Sequence, residues 1–489
     1  MPYNLRKRKA PPEVVEEPQK KRAAVPKTED KKRVLPEKTG VKKRVLPAKE
    51  EDQKSVPLAK TKKQKTVPQP KIEDPEHVAP SAEADNQYVF GSDTCGELGL
   101  KKIGCSRKVP TLVPLGHRVR QVACGPMHTL SLTETGEVYS YGCNDEGALG
   151  RETDGDETLE ATPTIIELKN KVTKITSGDS HGAALTDKNE VFIWGNFRDE
   201  HGSVGLLPEC EGALTCRPIQ VMPEKQFKDI ASGSNHMLLL DVDGVVYSFG
   251  VGAQGQLGRY EPKTKGENGK GEGENAEKES AITAENRELF LKPQVVNLAN
   301  VDTSRPFVCD AIYAGNFSSF ATNTDKKKNR LAGWGLNNYY QLGYKGLKGQ
   351  LVQYYPKRST FTCSTSMINV ACGQHHTIFL TKTGRVYAAG RNEYGMLGIG
   401  KSMQDKKEVC PSKQVEGFDS PVKTISAGIN TSFAVTQGGK LYSWGMSGSN
   451  LGVDSGEDDL TEPTLVESLA NKEVSSVSTG SSFTAVIVS

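Results

Sequence analysis

The chain has 489 residues, of which 35% are hydrophobic, 49 are glycine and three are tryptophan. Its longest apolar runs have strand length, as at 237–240, so no membrane span is predicted, and the first nine residues lack the apolar core of a secretory signal. Ten cysteines are scattered without a C-x-x-C pair. This pattern predicts no zinc site and favours a reducing intracellular compartment.

The net charge of +3 conceals two regions of opposite sign. Residues 1–85 carry 22 Lys and Arg against 14 Asp and Glu, a charge of +8, whereas the rest carries 41 against 46, a charge of −5. The first region is rich in Lys, Glu, Pro and Val and nearly lacks aromatics, so it buries too little apolar surface to offset the entropy of ordering. The sequence therefore predicts a disordered basic arm over 1–85 and a folded body over 86–489.

The basic residues of the arm are clustered. The hexapeptide Lys-Lys-Arg-Val-Leu-Pro occurs at 31–36 and again at 42–47, and two further clusters separated by a short spacer are typical of a bipartite nuclear import signal. Binding to DNA or nucleosomes by counterion release needs charge but no fixed shape. The residues assigned to nuclear import and DNA contact are Arg6, Lys7, Arg8, Lys9, Lys20, Lys21, Arg22, Lys31, Lys32, Arg33, Lys42, Lys43 and Arg44. We therefore expect a nuclear, chromatin-associated protein with an import receptor as partner; a solvated low-complexity tail is the alternative.

From residue 86 a pattern recurs seven times. A strand-like segment ends in a glycine, preceded by an aromatic residue in six units, and a second glycine follows between two apolar strands. The first glycines are Gly91, Gly142, Gly195, Gly250, Gly335, Gly390 and Gly445. The second glycines are Gly125, Gly178, Gly233, Gly315, Gly373, Gly428 and Gly480. The first glycines are 51 to 55 residues apart except for one gap of 85, which holds a predicted mobile insertion at 261–291.

Within each unit apolar residues alternate, as in 441–444, and this alternation indicates strands. A unit of this length accommodates four short strands. One such sheet leaves both faces exposed, whereas seven sheets packed radially cover one another and protect their edges by closing a ring. The sequence predicts an all-β, seven-bladed β-propeller with four short strands per blade, closed by pairing the two ends of the body in one blade.

Four histidines recur at one position of the repeat: His128, His181, His236 and His376. Because the repeat places them on separate blades, we expect them to be packed and hydrogen-bonded between blades, too far apart to share a metal ion. The chain lacks a P-loop, a G-x-S-x-G elbow and an H-E-x-x-H motif. No cofactor and no covalent catalysis are predicted, which leaves a hydrolase as the weakest of the functional hypotheses.

Over residues 86–489 the chain resembles the regulator of chromosome condensation family of seven-bladed propellers. The resemblance is carried by the segments 143–151, 178–181, 194–199 and 373–377. The founding branch of that family is chromatin-bound and catalyses guanine-nucleotide exchange on the small GTPase Ran, so the resemblance implies this activity here, without bond chemistry. The ultraviolet-photoreceptor branch needs clustered tryptophans, and Trp194, Trp334 and Trp444 stand one to a blade.

The resemblance also implies which residues contact the GTPase. Asp179 and His375 match positions that bear on exchange, and an acidic side chain can compete for the Lys or Mg²⁺ that holds the nucleotide phosphates. Asn235 stands where the family usually has a second Asp, so it keeps an acceptor but loses the charge. Further candidates are Arg259, which matches a contact position, Glu209, displaced by one residue from the family's Glu, and Thr94, which replaces an Asp. The alternative for Asp179 and His375 is that they only satisfy backbone groups of their loops.

The third unit has a longer and more charged turn than the others after Gly195. In the family this segment is a projecting β-wedge that presses on the GTPase near its phosphate-binding loop. The residues implied as contacts are Phe197, Arg198, Asp199, Glu200 and His201. An ordinary solvated hairpin is the alternative. Relatives also use a loop at the place of the 261–291 insertion to reach the acidic patch of the nucleosome through Arg, and Arg287 is the local candidate.

Two functions from different classes result. The first is a guanine-nucleotide exchange factor for Ran, bound to chromatin. The second is a propeller scaffold that binds chromatin or protein without exchange activity. Asp179, His375 and the turn at 197–204 discriminate between them, because a scaffold does not need all three.

Overall fold

The structure is a computed structural model that describes residues 85–489 apart from 211–214, 263–281, 303–305, 326–327, 347–349, 360–366, 404 and 455. The basic clusters of the predicted arm and most of the predicted 261–291 insertion lie outside the described residues. Within the described ranges, no helix has the length and apolar character needed to cross a membrane.

The described chain forms a seven-bladed β-propeller of four-stranded antiparallel sheets, as predicted. We number each blade by the unit whose first glycine it contains and give its strands from the axis outwards. Blade 1 contains β29 Val474–Thr479, β30 Phe483–Val488, β1 Gln87–Ser92 and β2 Ser106–Leu112. Blade 2 contains β3 Val119–Cys124, β4 His128–Thr133, β5 Val138–Gly142 and β6 Thr164–Ile165. Blade 3 contains β7 Val172–Ser177, β8 His181–Thr186, β9 Val191–Gly195 and β12 Thr215–Val221.

The remaining blades repeat this order. Blade 4 contains β13 Phe227–Ser232, β14 His236–Asp241, β15 Val246–Gly250 and β16 Gln294–Val295. Blade 5 contains β17 Ala311–Ala314, β18 Ser318–Asp325, β19 Lys328–Leu336 and β20 Val352–Arg358. Blade 6 contains β21 Met367–Cys372, β22 His376–Thr381, β23 Val386–Arg391 and β24 Glu408–Val415. Blade 7 contains β25 Val422–Ala427, β26 Thr431–Thr436, β27 Leu441–Gly445 and β28 Leu460–Leu465.

Short elements lie between these strands. A separate hairpin follows β9 and consists of β10 Arg198–Asp199 and β11 Gly202–Ser203. The α-helices of the described chain are α1 Glu157–Ala161 and α2 Arg287–Leu291. Single 3₁₀ turns cover Pro208–Cys210, Ala299–Val301, Lys401–Met403, Ser449–Leu451 and Glu467–Leu469.

The ring closes within blade 1. Strand β1, from the start of the described chain, pairs antiparallel with β30 from its end, so that Tyr88 lies opposite Val486 and Phe90 opposite Thr484. The predicted closure is therefore confirmed, and neither end leaves an inner strand edge unpaired.

Tryptophans join some blades to the blade before. Trp194, Trp334 and Trp444 are fully buried, and the indole Nε1 of Trp194 donates to the carbonyl oxygen of Ala148 in blade 2 at 2.9 Å. The other two make the same bond to their preceding blade. Gly150 follows Ala148 by two residues with φ of +66°, and a Cβ there would lie 2.9 Å from the Trp194 ring, so glycine is required both by the turn and by the indole.

The repeated histidines lie inside the ring beneath the loops that carry the second glycines. Three of them hydrogen-bond a serine of the following blade, with His128 to Ser177 at 2.9 Å, His236 to Ser319 at 2.8 Å and His376 to Ser432 at 2.8 Å. His181 differs: both of its ring nitrogens are buried without a hydrogen bond in the described chain. The prediction of a hydrogen bond is wrong for His181, whose ring packs edge-on against Phe197 at 4.8 Å between centroids.

Candidate functional site

The loops with the second glycines line the opening at the axis of the ring. A Cβ on Gly178 would lie 2.5 Å from the carbonyl oxygen of Gly233 in the next blade, so glycine lets neighbouring loops approach this closely. The turn after each first glycine is bonded to the loop of its own blade, as where the Asn196 backbone N–H donates to the carbonyl oxygen of Ser180 at 2.8 Å. The variable residues of both segments therefore gather at one end of the axis, which we call the loop face.

Asp179 and Asn235 meet on the loop face between blades 3 and 4. The amide Nδ2 of Asn235 donates to Oδ2 of Asp179 at 3.3 Å, and its Oδ1 accepts from the backbone N–H of Arg198 at 2.9 Å. Burial raises the pKa of Asp179, while hydrogen bonds from Ser234 and Asn235 lower it. Asn235 therefore bridges the Asp179 carboxylate and the hairpin that follows β9, a use of both ends of the amide that the sequence did not reveal.

The charged turn of the third unit is a true two-stranded hairpin, which we call the wedge hairpin (198–203). Arg198 pairs with Ser203 and Asp199 with Gly202, and Glu200 and His201 form the exposed turn. Asp199 Oδ1 accepts from the His201 backbone N–H at 2.8 Å and thereby closes the turn. The structure has the hairpin that the resemblance implied; its contact with a GTPase stays a prediction.

Phe197 has to be removed from the predicted contacts. Its side chain is completely buried in the core shared by blades 3 and 4, where its ring packs edge-on against Phe249 at 5.7 Å as well as against His181. Residue 197 is therefore the hydrophobic anchor beneath the wedge hairpin, and a partner reaches only the residues that follow it.

Glu146 of blade 2 holds the other side of the wedge hairpin and was missed by sequence reasoning. Its carboxylate accepts from Ser203 Oγ at 2.7 Å and from Asn196 Nδ2 at 3.1 Å, and it forms an ion pair with Arg198. Glu146 lies 52 residues before Arg198, so only the blade-to-blade packing shows the contact. The one sequence signal was its place in the 143–151 segment that carries the family resemblance.

His375 lies on blade 6 in a different setting. Its half-buried ring packs edge-on against Tyr339 of blade 5, with 5.2 Å between centroids, and the Arg391 guanidinium lies 5.4 Å from the centre of the Tyr339 ring. Arg391 also forms an ion pair with Glu393. Burial and the positive charge of Arg391 lower the pKa of His375, and Glu393 opposes them. The described structure shows no direct contact of His375 with Asp179, so the two belong to separate parts of the loop face.

Arg259 has a structural role of its own. Its Nη1 donates to the carbonyl oxygen of Leu289 at 2.6 Å and its Nε to Ser248 Oγ at 3.1 Å, so the guanidinium holds helix α2 against blade 4. Arg151 makes similar contacts in blade 2, with Nε on Ser140 Oγ at 3.1 Å. Burial lowers the pKa of each arginine to about 10. The side chain of Arg259 is partly exposed, and its contact with a partner stays a prediction.

Arg287 and the end of the predicted insertion are ordered as part of the body. Arg287 begins helix α2, its Nε donates to the carbonyl oxygen of Pro208 at 3.2 Å, and one of its terminal nitrogens is buried. The expectation of a mobile segment through residue 291 with Arg287 projecting from it is therefore wrong for its last residues. Arg287 instead supports the segment that follows the wedge hairpin.

Thr94 and Glu209 are exposed. The backbone N–H of Thr94 donates to the buried Glu97 carboxylate at 3.0 Å, which shapes the turn and leaves the threonine at the surface. Neither residue contacts Asp179 or His375 in the described structure, and their role in binding stays a prediction. No group of three or more His, Cys, Asp or Glu in the described chain is arranged to hold a metal ion.

The architecture and the loop face define a class of protein. It is a closed seven-bladed propeller, and one end of its axis carries a braced hairpin and charged loop residues. The chain belongs to the RCC1-like domain family, whose model matches residues 86–486. The family predicted from the sequence is thus confirmed.

Individual relatives agree with this assignment. The chain is 37% identical over 404 residues to a regulator of chromosome condensation from Xenopus laevis, covering 82% of this chain and 88% of the relative. It is 28% identical over 447 residues to guanine nucleotide exchange factor SRM1 of Saccharomyces cerevisiae, covering 82% and 86%. The crystal structure of Prp20p from the same yeast, reported with its binding properties to Gsp1p and histones, matches with a TM-score of 0.71 at 28% identity over 84% of this chain and 93% of that one.

Proposed function

We propose that this chain is a guanine-nucleotide exchange factor for the small GTPase Ran, located in the nucleus and associated with chromatin. The observation that carries the proposal is the wedge hairpin, which blades 2, 3 and 4 brace beside the half-buried carboxylate of Asp179. Support comes from a relative named as a guanine nucleotide exchange factor and from a similar structure described with its binding properties to Gsp1p and histones.

Exchange of this kind breaks no covalent bond. A propeller that binds the nucleotide-free GTPase more tightly than the loaded one must, by linkage, weaken nucleotide binding by the same factor. The ratio of free GTP to GDP then sets the direction. No cofactor takes part, and the protein supplies only a surface that fits the GTPase with its phosphate site opened.

The wedge hairpin is suited to opening that site. Glu146 and Asn235 fix it before the partner arrives, so little conformational entropy is lost on binding. The Asp179 carboxylate is half-buried and accepts a hydrogen bond from Asn235, so part of its desolvation is completed on folding, before the GTPase brings up a cation. A lysine or Mg²⁺ that held the phosphates is thereby drawn to the propeller.

The arm supplies the other partners in this proposal. Its charge of +8 on 1–85, against −5 for the body, fits DNA or nucleosomes and an import receptor. The insertion at 261–291 is a second candidate for the nucleosome, through residues other than Arg287. Deleting 1–85 should abolish salt-dependent DNA binding and leave exchange on free Ran unchanged; an unaltered salt slope would refute the role of the arm.

The decisive experiment is release of labelled GDP from purified Ran with catalytic amounts of the full chain. Acceleration is expected. A variant in which two glycines replace the wedge hairpin between Phe197 and Val204 should lose at least an order of magnitude in rate and melt within a few degrees of the parent, because the exposed turn buries little. No acceleration by the parent chain would leave the alternative, a chromatin- or protein-binding propeller scaffold.

A further inference from the structure

A backbone hydrogen bond of the repeat places one side chain beside another in every blade. The residue after each first glycine donates its N–H to the carbonyl oxygen of the residue before the repeated histidine position, and in blade 6 these two are Arg391 and His375, 2.9 Å apart. The residues at the donor position in the other six blades are Ser92, Cys143, Asn196, Val251, Leu336 and Met446. Of these seven described residues Arg391 alone is charged, so blade 6 alone holds a cation next to this carbonyl.

The side chains extend this backbone contact. Tyr339 packs edge-on against His375, and Arg391 stacks over the same tyrosine ring, so the phenol lies in contact with both. Arg391 is only 15% exposed and its guanidinium engages Glu393, which fixes the cation in place. The exchange mechanism proposed above does not use Tyr339, Arg391 or Glu393.

We propose that Arg391 and Tyr339 are positioning residues that keep His375 as a neutral imidazole, with its Nε2–H held ready to donate to an acceptor oxygen of the GTPase. This inference rests on the proposed function. It assigns a donor role to His375, opposite in kind to the acceptor role of Asp179, and it identifies the matching chemistry on the partner as a carbonyl or carboxylate oxygen.

The charges around the ring support a neutral imidazole. Half-burial and the Arg391 cation both oppose protonation, and both lower the pKa of His375. The other groups that face the ring are Glu393, whose charge acts in the opposite sense, the neutral phenol of Tyr339, and His376, which burial keeps neutral. Because the Glu393 carboxylate is paired with Arg391, it raises the pKa of His375 less than the Arg391 cation lowers it.

The buried atom of the ring indicates the tautomer. Nδ1 of His375 is buried without a hydrogen bond in the described chain, whereas Nε2 is not among the buried unsatisfied atoms. A buried N–H without an acceptor is rarer in folded proteins than a buried acceptor without a donor. The proton of the neutral ring therefore belongs on Nε2, the atom left open to a partner.

The test uses the free full chain, labelled with ¹⁵N, and reads the histidine ring nitrogens by two-bond ¹H–¹⁵N spectra over pH 5–8, with the His375 signals assigned by their loss in His375→Gln. In the parent we expect the Nε2–H tautomer and a pKa below the ordinary 6.5. Arg391→Gln should raise that pKa and Glu393→Gln should lower it, and Arg391→Lys should retain the parent value. The matched control is Arg385→Gln, which removes the same charge at the other, exposed end of the same strand region.

Exchange measured on the same variants gives the second readout. Arg391→Gln should match the parent near pH 8 and lose several-fold in GDP release near pH 6. Nε2 still donates in the imidazolium, but protonation adds an N–H at the buried Nδ1, which has no acceptor in the described chain, and so displaces the ring. Arg385→Gln should keep the parent profile. A parent His375 that titrates at 6.5 or above, or an Arg391→Gln variant with an unshifted pKa, would overturn the inference. Because the spectra need no GTPase, failure of the parent to accelerate GDP release refutes the proposed function and leaves the assignment of the neutral ring intact.

Discussion

The loop face has two sectors that are held together differently. The wedge sector consists of Glu146, Asp179, Arg198 and Asn235. The blade 6 sector consists of Tyr339, His375, Arg391 and Glu393. In the wedge sector hydrogen bonds cross from blade 2 to blade 4 and fix a backbone hairpin, whereas in the blade 6 sector ring contacts and one ion pair surround a single imidazole. In our proposals, the first arrangement fixes the position of the hairpin against a partner, and the second keeps one imidazole neutral.

This difference decides how each sector should respond to mutation. Side chains in a hydrogen-bonded network depend on one another, so substitutions in the wedge sector that add no titrating group should be non-additive and should affect exchange at every pH. A ring held by packing and a neighbouring charge should respond through the pH profile. Both sectors belong to loops of the same ring, and the buried strands and histidines of that ring stabilise both.

The largest expected effect is on that shared interior. Burial lowers the pKa of His181, His236 and His376 to about 3 and of His128 to about 4. Because the unfolded chain binds protons with an ordinary pKa near 6.5, stability is lost as pH falls from 6.5 towards 4. At pH 5 each of these four histidines lowers the free energy of unfolding by about 2 kcal/mol. Glu97 has the opposite effect: because burial raises its pKa to about 7, it contributes about 2 kcal/mol more to stability at pH 5 than at pH 7.

We therefore expect a net loss of about 6 kcal/mol in the free energy of unfolding between pH 7 and pH 5. Thermal melts at the two pH values measure it. If the melting temperature were the same at both, the histidines would be accessible or charged in the folded ring, and both sectors would lack the rigid support described above.

A second prediction separates the wedge hairpin from its anchor. Phe197→Ala removes a fully buried ring between blades 3 and 4 and should cost about 3–5 kcal/mol of stability. Arg198→Ala, one residue further, removes an exposed side chain and should cost about 1 kcal/mol or less. Denaturant unfolding of the two variants checks this, and equal losses would show that the hairpin, like Phe197, belongs to the core.

The sequence predicted the architecture because a repeat reports backbone structure: spacing and glycine positions reveal blades, loops and closure. Side-chain partners were less visible, because they lie about 50 residues away on the next blade, as Glu146 does from Arg198. The structural bonds of Arg259 could have been predicted in part, because Arg151 stands at the same repeat position and makes similar contacts. No sequence signal indicated that Phe197 is buried beneath the wedge hairpin, whereas Arg198, which follows it, is exposed.

A third prediction concerns the carboxylate of the wedge sector. Asp179→Ala should slow GDP release by a factor that corresponds to roughly 2–5 kcal/mol if a partner's cation is buried against this side chain. The ring should stay folded, because the Asp179 side chain is half-buried and bonds only to Ser234 and Asn235 of the neighbouring loop in the described chain. Asp187→Ala, which removes the same charge from the exposed turn at the other end of the β8–β9 hairpin, is the control. Wild-type exchange by Asp179→Ala would remove the carboxylate from the mechanism.

A smaller effect is expected at Glu146. Glu146→Gln keeps an oxygen that accepts from Ser203 and Asn196 but loses the ion pair with Arg198. We expect exchange to fall by about tenfold, or about 1.4 kcal/mol, with little change in melting temperature. If Glu146→Gln still slows exchange a further tenfold in an Arg198→Ala background, the ion pair is not the cause of the loss and the hairpin is held by other contacts.

The smallest expected effect is that of Asn235→Asp, the change that restores the residue usual in the family. The new carboxylate can still accept from the Arg198 backbone N–H, so the wedge hairpin should keep its place. It cannot donate to Asp179, and two carboxylates at the 3.3 Å now spanned by a hydrogen bond raise the pKa of the pair. We expect exchange at pH 7.5 to fall by about threefold, or about 0.7 kcal/mol, and the defect to shrink towards pH 6, where one shared proton replaces the lost donor. Faster exchange than the parent at pH 7.5 would mean that the second charge itself meets a cation on the GTPase, and that the amide of Asn235 weakens the contact it braces.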